Sequence, residues 1–421
     1  MRFDPETLPD YEQALKRLLA VAPSVGEQSV PLDQACGRVL REPIIVDRDQ
    51  PPFNRSAMDG FALRSGDFHQ GMTWTVAGTV AAGAPADDHH AGPGELVRIA
   101  TGAAVPDSFD VVIPIEQAQV EEDDNRREIV RFNTPSVRPW RNIHRRGADA
   151  RAGQVVARSG SPVQPQVVGI AASAGAVRVK VASRPCVVVL TSGDEVIAPH
   201  TRLENLAAHQ IRNSNGPMLS ALIESIGARV LRHAHVVDEW KPTLAAAKAA
   251  ISDADVVVTA GGVSVGQRDL LPQAWSRLGL RTVLHGVAIQ PGKPLFVAVC
   301  ESDPKKLVIG LPGNPVSALC TAHLFLWALI REMLLGADEL ATDLPWRPVT
   351  LDEAARCSPK REVFRAATLS TTGRANILTW QGSGDLMHTA AADGWVRLPK
   401  TDQEAPAGRI VPFLPMIGPH R

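Results

Sequence analysis

The chain of 421 residues carries 44 Lys+Arg against 45 Asp+Glu, a formal net charge of -1, with 44% hydrophobic residues. That length predicts two to four domains with several buried cores. The charge balance excludes a global basic field that would draw the protein to nucleic acid or an anionic membrane, so any polyanion must be met by a local site.

Glycine and proline, at 33 each with only 5% aromatic residues, point to many turns and short strands. The five cysteines, Cys36, Cys186, Cys300, Cys320 and Cys357, are odd in number, widely separated and free of any C-x-x-C, which predicts reduced structural thiols and no zinc site. The start, Met1-Arg-Phe-Asp-Pro-Glu6, lacks an apolar core and cleavage site, and the longest apolar run, Leu324 to Ile330, is short of a membrane span. A cytoplasmic protein is expected.

In chain order, Tyr11 to Leu19 has helical apolar spacing, and Val30 to Leu40 reads as a strand leading into a short helix. From Phe53 to about Val181, Gly, Pro or Asp breaks the chain every 8 to 12 residues, between runs such as Trp74-Thr-Val-Ala77 and Val111-Val-Ile-Pro-Ile115, which suits a small β domain. The acidic run Glu121 to Asp124 reads as a solvated hairpin tip. From Cys186 to about Leu335 strands alternate with amphipathic helices. Strands are expected at Cys186 to Leu190, Arg229 to His233, Val256 to Thr259, Thr282 to Ala288, Leu295 to Val299 and Leu307 to Leu311. Met218, Leu219, Leu222, Ile223 and Ile226 share a helical face closed by Gly227, and further helices are expected at about Thr243 to Ala254 and Pro315 to Leu335. This is a doubly wound α/β domain, whose ligands should lie at the carboxyl ends of its strands. From Pro345 onward the tail returns to alternation, as in Glu362-Val-Phe-Arg365 and Gly394 to Leu398, and fits a small terminal β domain.

Three strand ends present acids: Thr191-Ser-Gly-Asp-Glu195, Asp238, and the glycine loop after Val256-Val-Val-Thr-Ala260 that ends at Asp269. Gly261, Gly262 and Gly266 would let backbone N–H groups approach an anion, with Ser264 as a donor and Asp269 as a cation ligand; an ordinary strand-to-helix turn explains the same glycines. Any one acid suits a helix N-cap, whereas together they suit Mg²⁺ bridging phosphate oxygens. In Gly310-Leu-Pro-Gly-Asn-Pro-Val-Ser317, Asn314 suits N-cap and Pro315 N1, directing a helix dipole at an anion. Lys293 in Pro291-Gly-Lys-Pro294 faces phosphate or an acidic neighbour. Arg138, Arg141, Arg145, Arg146 and Arg151 surround Asp149 in sequence, as an oxyanion site or a solvated basic face. His89-His90 and the pair His233 and His235 lack a third ligand and read as surface or structural.

Ser56-Ala-Met-Asp-Gly-Phe-Ala62, Thr101-Gly-Ala-Ala-Val-Pro106, Asn142 to Asp149, Ser192 to Glu195, Gly261 to Asp269, Pro291 to Pro294 and Gly310 to Ser317 resemble, in this order, the MoeA/gephyrin E-domain family, the molybdopterin molybdenumtransferases. The resemblance covers nearly the whole chain. It implies a homodimer whose α/β multidomain chain has an N-terminal arm region (1–50 and 150–182), a β-rich insertion (51–149), a molybdopterin-binding α/β domain (183–336) and a C-terminal β barrel (337–421). The implied reaction inserts molybdenum from molybdate into adenylylated molybdopterin with Mg²⁺-assisted release of AMP. A molybdenum adenylyltransferase and recipient apo-molybdoenzymes are the implied partners; nucleic acid and membrane are not.

Motif matching carries over Asp59, Asp149, Glu195, Asp238 and Asp269 as catalytic positions, with Glu195 and Asp269 holding the metal and pyrophosphate. Thr101, Gly261, Gly262, Ser264, Gly266, Lys293, Pro312, Gly313, Asn314, Pro315, Ser317 and Ser383 would bind substrate. Asp59 and Thr101 are expected to reach over from the other subunit. Charged residues usual in the family are replaced by Ala148, Asn213, Gly286 and Gln290, with His144, His285 or the arginines as compensation, and Ser383 is the main match in Gly382 to Met387. Those losses keep two alternatives in view: a divergent paralogue that binds or delivers molybdenum cofactor without inserting the metal, and a tungstate-specific transferase.

Overall fold

A computed structural model describes residues 8–85, 91–262, 270–336 and 344–417. Ser264, Gly266, Asp269 and His89-His90 lie outside them. The chain forms two compact units, Met1–Ser29 with Gly37–Arg41 and Lys180–Arg421, and Val30–Cys36 with Glu42–Val179.

Helix α1 (Tyr11–Leu19) belongs to the first unit and starts with a reciprocal cap: the Gln13 N–H donates to Asp10 Oδ1 at 2.8 Å and the Asp10 N–H to Gln13 Oε1 at 3.4 Å. Its Tyr11, Ala14 and Leu18 side chains are buried.

The second unit is built on six strands, β1 (Gly60–Leu63), β2 (Thr73–Val80), β3 (Glu95–Ile99), β4 (Val111–Pro114), β5 (Ala118–Glu122) and β6 (Glu128–Phe132), in the order β4-β1-β3-β2-β6-β5. Period-two alternation splits its apolar residues between two faces. Phe61, Leu63, Trp74, Leu96 and Phe132 form one core and Ala62, Val97, Ile99 and Val112 the other. Asp123, in the expected acidic tip, accepts from the Asn125 and Arg127 N–H groups and so folds the turn between β5 and β6. A Cβ at Gly60 would overlap the Ile113 carbonyl, so glycine lets β1 pair with β4 immediately after Asp59. Helix α2 (Pro165–Ser173) also belongs to this unit, with proline in its first turn.

The α/β region of the first unit runs β7 (Cys186–Ser192), α3 (Asn215–Ser225), β8 (Arg229–Val236), α4 (Trp240–Asp253), β9 (Val256–Ala260), α5 (Leu271–Arg277), β10 (Leu280–His285), β11 (Ile289–Gln290), β12 (Phe296–Cys300), β13 (Leu307–Leu311), α6 (Pro315–Thr321) and α7 (Trp327–Leu335). Its sheet order is β8-β7-β9-β13-β12-β10. The first four strands are parallel, and the valine runs of β7 and β9 are buried on both faces. The βα alternation expected to continue stops there: β12 runs antiparallel to both β13 and β10. The strand expected from Thr282 to Ala288 ends at His285, and Gly286 turns the chain at φ 94°.

Helices α6 and α7 join through one wide π turn, Ala322–Leu326, giving the continuous helix expected from Pro315 to Leu335. It is long and apolar enough on composition to cross a membrane. Here Val316, Phe325, Leu326, Leu329 and Met333 pack into the main core. The tail forms β14 (Arg347–Leu351), β15 (Glu362–Leu369), β16 (Arg374–Ile377), β17 (Gly394–Leu398) and β18 (Ile410–Pro415), closed by β15–β17 pairing into a five-stranded barrel, with β11 added alongside β15. All five cysteines are free thiols.

Candidate active site

The carboxyl ends of β8, β7, β9 and β13 form a row, and their loops are tied to one another. Asp194 Oδ1 accepts the Asp238 N–H at 3.0 Å, joining the loops after β7 and β8. The Gly261 N–H donates to the Leu311 carbonyl at 3.2 Å, joining β9 to β13. Gly261 and Gly262 have φ of 90° and 65°, and a side chain on either would press on Ser192. Positive φ and close approach therefore demand glycine here, and the backbone turns across the ends of β7 and β9. Glu195 and Asp194 are exposed at this edge.

Asn314 and Pro315 stand at the N-cap and first turn of α6, as their order predicts. The Asn314 side chain does not cap the helix, however: its Nδ2 donates to Ser383 Oγ at 2.9 Å, and the Val316 N–H donates to the Ser383 carbonyl at 3.1 Å. Ser383 thus brings the barrel to the β13 loop and occupies one N–H expected to face an anion. Pro312 and Ser317 are buried beside exposed Gly313 and Asn314. Because β12 is antiparallel, its first residue Phe296 pairs with Gly310 near the end of β13. This reversal puts the turn bearing Lys293 at the carboxyl edge of the parallel strands, together with Gly286 and Gln290.

Asn213 is buried, and its amide is oriented by its neighbours. Oδ1 accepts the Gly216 N–H at 3.0 Å, while Nδ2 donates to Thr191 Oγ1 at 2.7 Å and faces His233 Nε2 at 3.3 Å. Thr191 Oγ1 also lies 3.1 Å from His235 Nδ1. Desolvation, followed by the charge of His235, pushes the His233 pKa down. These histidines serve a hydrogen-bond network, in keeping with their structural reading.

In the other unit, Asp59 accepts from the Thr101 N–H at 2.7 Å and from Thr101 Oγ1 at 3.0 Å. The Thr101 N–H, then its hydroxyl, hold the Asp59 carboxyl below its ordinary range. Backbone bonds from Ser56 to Ala103 and from Ala57 to Asn142 stitch the three motif segments of this unit together. Asp149 meets His144 Nε2 at 2.8 Å, and not the expected ring of arginines. Arg146 instead pairs with Asp49 at 2.8 Å, and Arg145 stacks on Trp140 with its guanidinium 4.3 Å from the ring centroid. Ala148 is exposed.

Asn215 was not singled out by the sequence. Its Nδ2 donates to the Gly313 carbonyl at 2.7 Å, bridging the start of α3 to the β13 loop, and its Oδ1 is buried without a partner among the described residues. An asparagine between Ser214 and Gly216 at the start of an amphipathic run was the available signal, but it reads as local capping.

Residues 9–175 match the family described as MoeA N-terminal region (domain I and II), and residues 188–332 that described as Probable molybdopterin binding domain. A protein of Synechocystis sp. named molybdopterin molybdenumtransferase is 32% identical over 408 residues, 95% of this chain and 98% of that relative. The chain belongs to the MoeA family of molybdopterin molybdenumtransferases. A transferase of that name from Staphylococcus epidermidis is 30% identical over 98% of this chain and 97% of its own length. The crystal structure of a MoeA protein from Pyrococcus horikoshii superposes with a TM-score of 0.82 at 26% identity, covering 97% of this chain and all (100%) of that one. The family expected from the order of motifs is therefore the family found, and the transferase fold comes with it.

Among the described residues, no group of three or more His, Cys, Asp and Glu side chains could hold a metal. Glu195 offers a hard, solvent-facing carboxylate of the kind Mg²⁺ takes one or two of, the remaining positions going to water and phosphate. Its expected companion Asp269 lies outside the described residues.

Proposed function

We propose that this protein inserts molybdenum from molybdate into adenylylated molybdopterin and releases AMP, within molybdenum cofactor biosynthesis. Membership of the transferase family supports the reaction. The observation that carries the site is the row of clipped strand ends, where exposed carboxylates after β7 stand next to a positive-φ glycine turn and a helix start that is docked by Ser383.

In this reading the Gly262 and Gly313 N–H groups and the positive end of the α6 dipole face the pyrophosphate, Gly261 turns the chain beneath them, and Lys293 adds a cation. Asn314 and Ser383 fix the pterin end, and Glu195, Asp238 and Asp269 handle the reacting phosphates. Ser264, Gly266, Pro312, Pro315 and Ser317 complete the pocket. Magnesium, held by Glu195 and Asp269, would neutralise charge on the phosphoryl oxygens. Asp59 with Thr101, reaching over from the other subunit of the homodimer, and Asp149 with His144 belong to this reading as oriented polar groups. The four-region division, a homodimer, a cytoplasmic setting, and exchange with an adenylyltransferase and with apo-molybdoenzymes belong to the same proposal.

The test is AMP release from adenylylated molybdopterin by purified protein. Release should require both molybdate and Mg²⁺, stop on chelation and return with added Mg²⁺. Glu195→Gln should lower kcat at least a hundredfold while pterin binding stays within a few-fold of wild type. No molybdate-dependent AMP from the wild-type protein would sink the reading.

A further inference from the structure

We infer that the groove between α4 and α5 seats the adenine ring of the substrate, an inference that rests on the transferase reading. The groove is a shallow, open depression of about 610 Å³ lined by Trp240, Pro272, Gln273, Ser276 and Arg277. That volume lies within the range of small-molecule pockets.

Its chemistry suits a purine. Trp240 is 40% exposed although it is a large aromatic residue at the first position of a helix. Its face can take a base by stacking, which works for any π surface. Gln273 carries both an amide donor and a carbonyl acceptor, and Ser276 a hydroxyl, matching the adjacent donor and acceptor on adenine's Watson–Crick edge. Arg277 supplies a cation and a flat guanidinium.

Its position suits the rest of the substrate. The pterin end is assigned to the β13 loop, and the strand order from there is β13, β9, β7, β8. The groove lies between the helices that follow β8 and β9, roughly two interstrand spacings of about 4.8 Å, or about 10 Å, from β13, the scale of a pyrophosphate between two ring systems. The far end of that row is β8, where Asp238 is clipped to Asp194 and Trp240 begins α4 two residues later. Helix α5 follows β9 and packs against α4, so the Trp240 end of the groove adjoins the acid-bearing loops after β7 and β8.

The experiment measures AMP binding to the full chain by calorimetry and the KM for adenylylated molybdopterin. Trp240→Ala should weaken AMP about tenfold and raise that KM by a similar factor, with kcat falling much less and the molybdate requirement unchanged. Trp240→Phe, which keeps a stacking face, should recover most of both. Molybdopterin without its adenylyl group should bind wild type and Trp240→Ala alike. Wild-type affinity for AMP in Trp240→Ala, no AMP binding by the wild type, or an equal loss of non-adenylylated molybdopterin would each overturn the assignment. Normal turnover in Trp240→Ala removes the adenine seat and leaves the transferase standing. Absent AMP release by the wild type removes the transferase, while AMP binding still reports on the groove.

Discussion

Asn213 shows how one buried amide orders its neighbours. Its Oδ1 is committed to the Gly216 N–H, so Nδ2 must face Thr191 and His233, and His233 Nε2 is then an acceptor in a neutral ring. Asn213→Asp replaces that donor with a buried carboxylate oxygen. The imidazole must then supply the proton, and the His233 pKa should rise, read by NMR titration of its ring protons. An unchanged titration would mean that Asn213 does not set the protonation of His233. The motif segments that contain Asp59, Thr101, Glu195 and Asn314 were legible because each is a short run of residue types with one chemistry. The links among them were not. Asn314 and Ser383 are 69 positions apart, and nothing local in either sequence announces their hydrogen bond. Asp149 was read with the arginines nearest in sequence, whereas its partner His144 is placed by the short pairing of Ile143 with Ser56.

At the scale of elements, apolar periodicity located β7, α3, β9, β13 and the helix from Pro315, since each buries a face of regular spacing. Strand direction was not readable for β12, because antiparallel and parallel strands buried on both faces have the same apolar pattern. The π turn was equally silent in sequence, and it holds His323. Nδ1 of this ring faces the Leu319 carbonyl at 2.8 Å, and Nε2 faces the Ile417 N–H at 3.5 Å, an arrangement made for neutral imidazole. Burial pushes its pKa down to about 4. From pH 6.5 down to that value the unfolded chain binds the extra proton, so this contribution to stability is complete above 6.5 and falls with pH until about 4. The full loss is about 3 kcal/mol. Urea unfolding should show about 2 kcal/mol of it between pH 7 and pH 5, and His323→Gln should flatten that slope.

At the scale of the molecule, the α/β region and the barrel share one core. Tyr11 packs edge-on against Phe325 of the helix and against Trp346 and Phe364 of the tail, with ring centroids 5.5, 6.2 and 5.7 Å away. Arg397 lies over its ring at 4.7 Å and pairs with both Glu12 and Glu362 at 2.7 Å. Removing the ring opens a cavity among all three, so Tyr11→Ala should cost about 3 kcal/mol. Thermal melting followed in the α/β region and in the barrel should shift together; separate transitions would show that the shared packing is not what couples them.

The short strand β11 gives that sharing a consequence for how the protein can be cut and recombined. It lies between β10 and β12 in the chain, yet its hydrogen bonds go to β15 of the barrel. A fragment ending after Leu335 would keep β11 with its pairing edge bare and the apolar surface around Tyr11 uncovered, a template for aggregation. Chimeras that exchange the tail between relatives would therefore need to exchange the Ile289–Gln290 segment with it. The last 70-odd residues behave as the closing piece of an interior begun by α1, and a joint placed at the visible end of the long helix would fall inside a single folding unit.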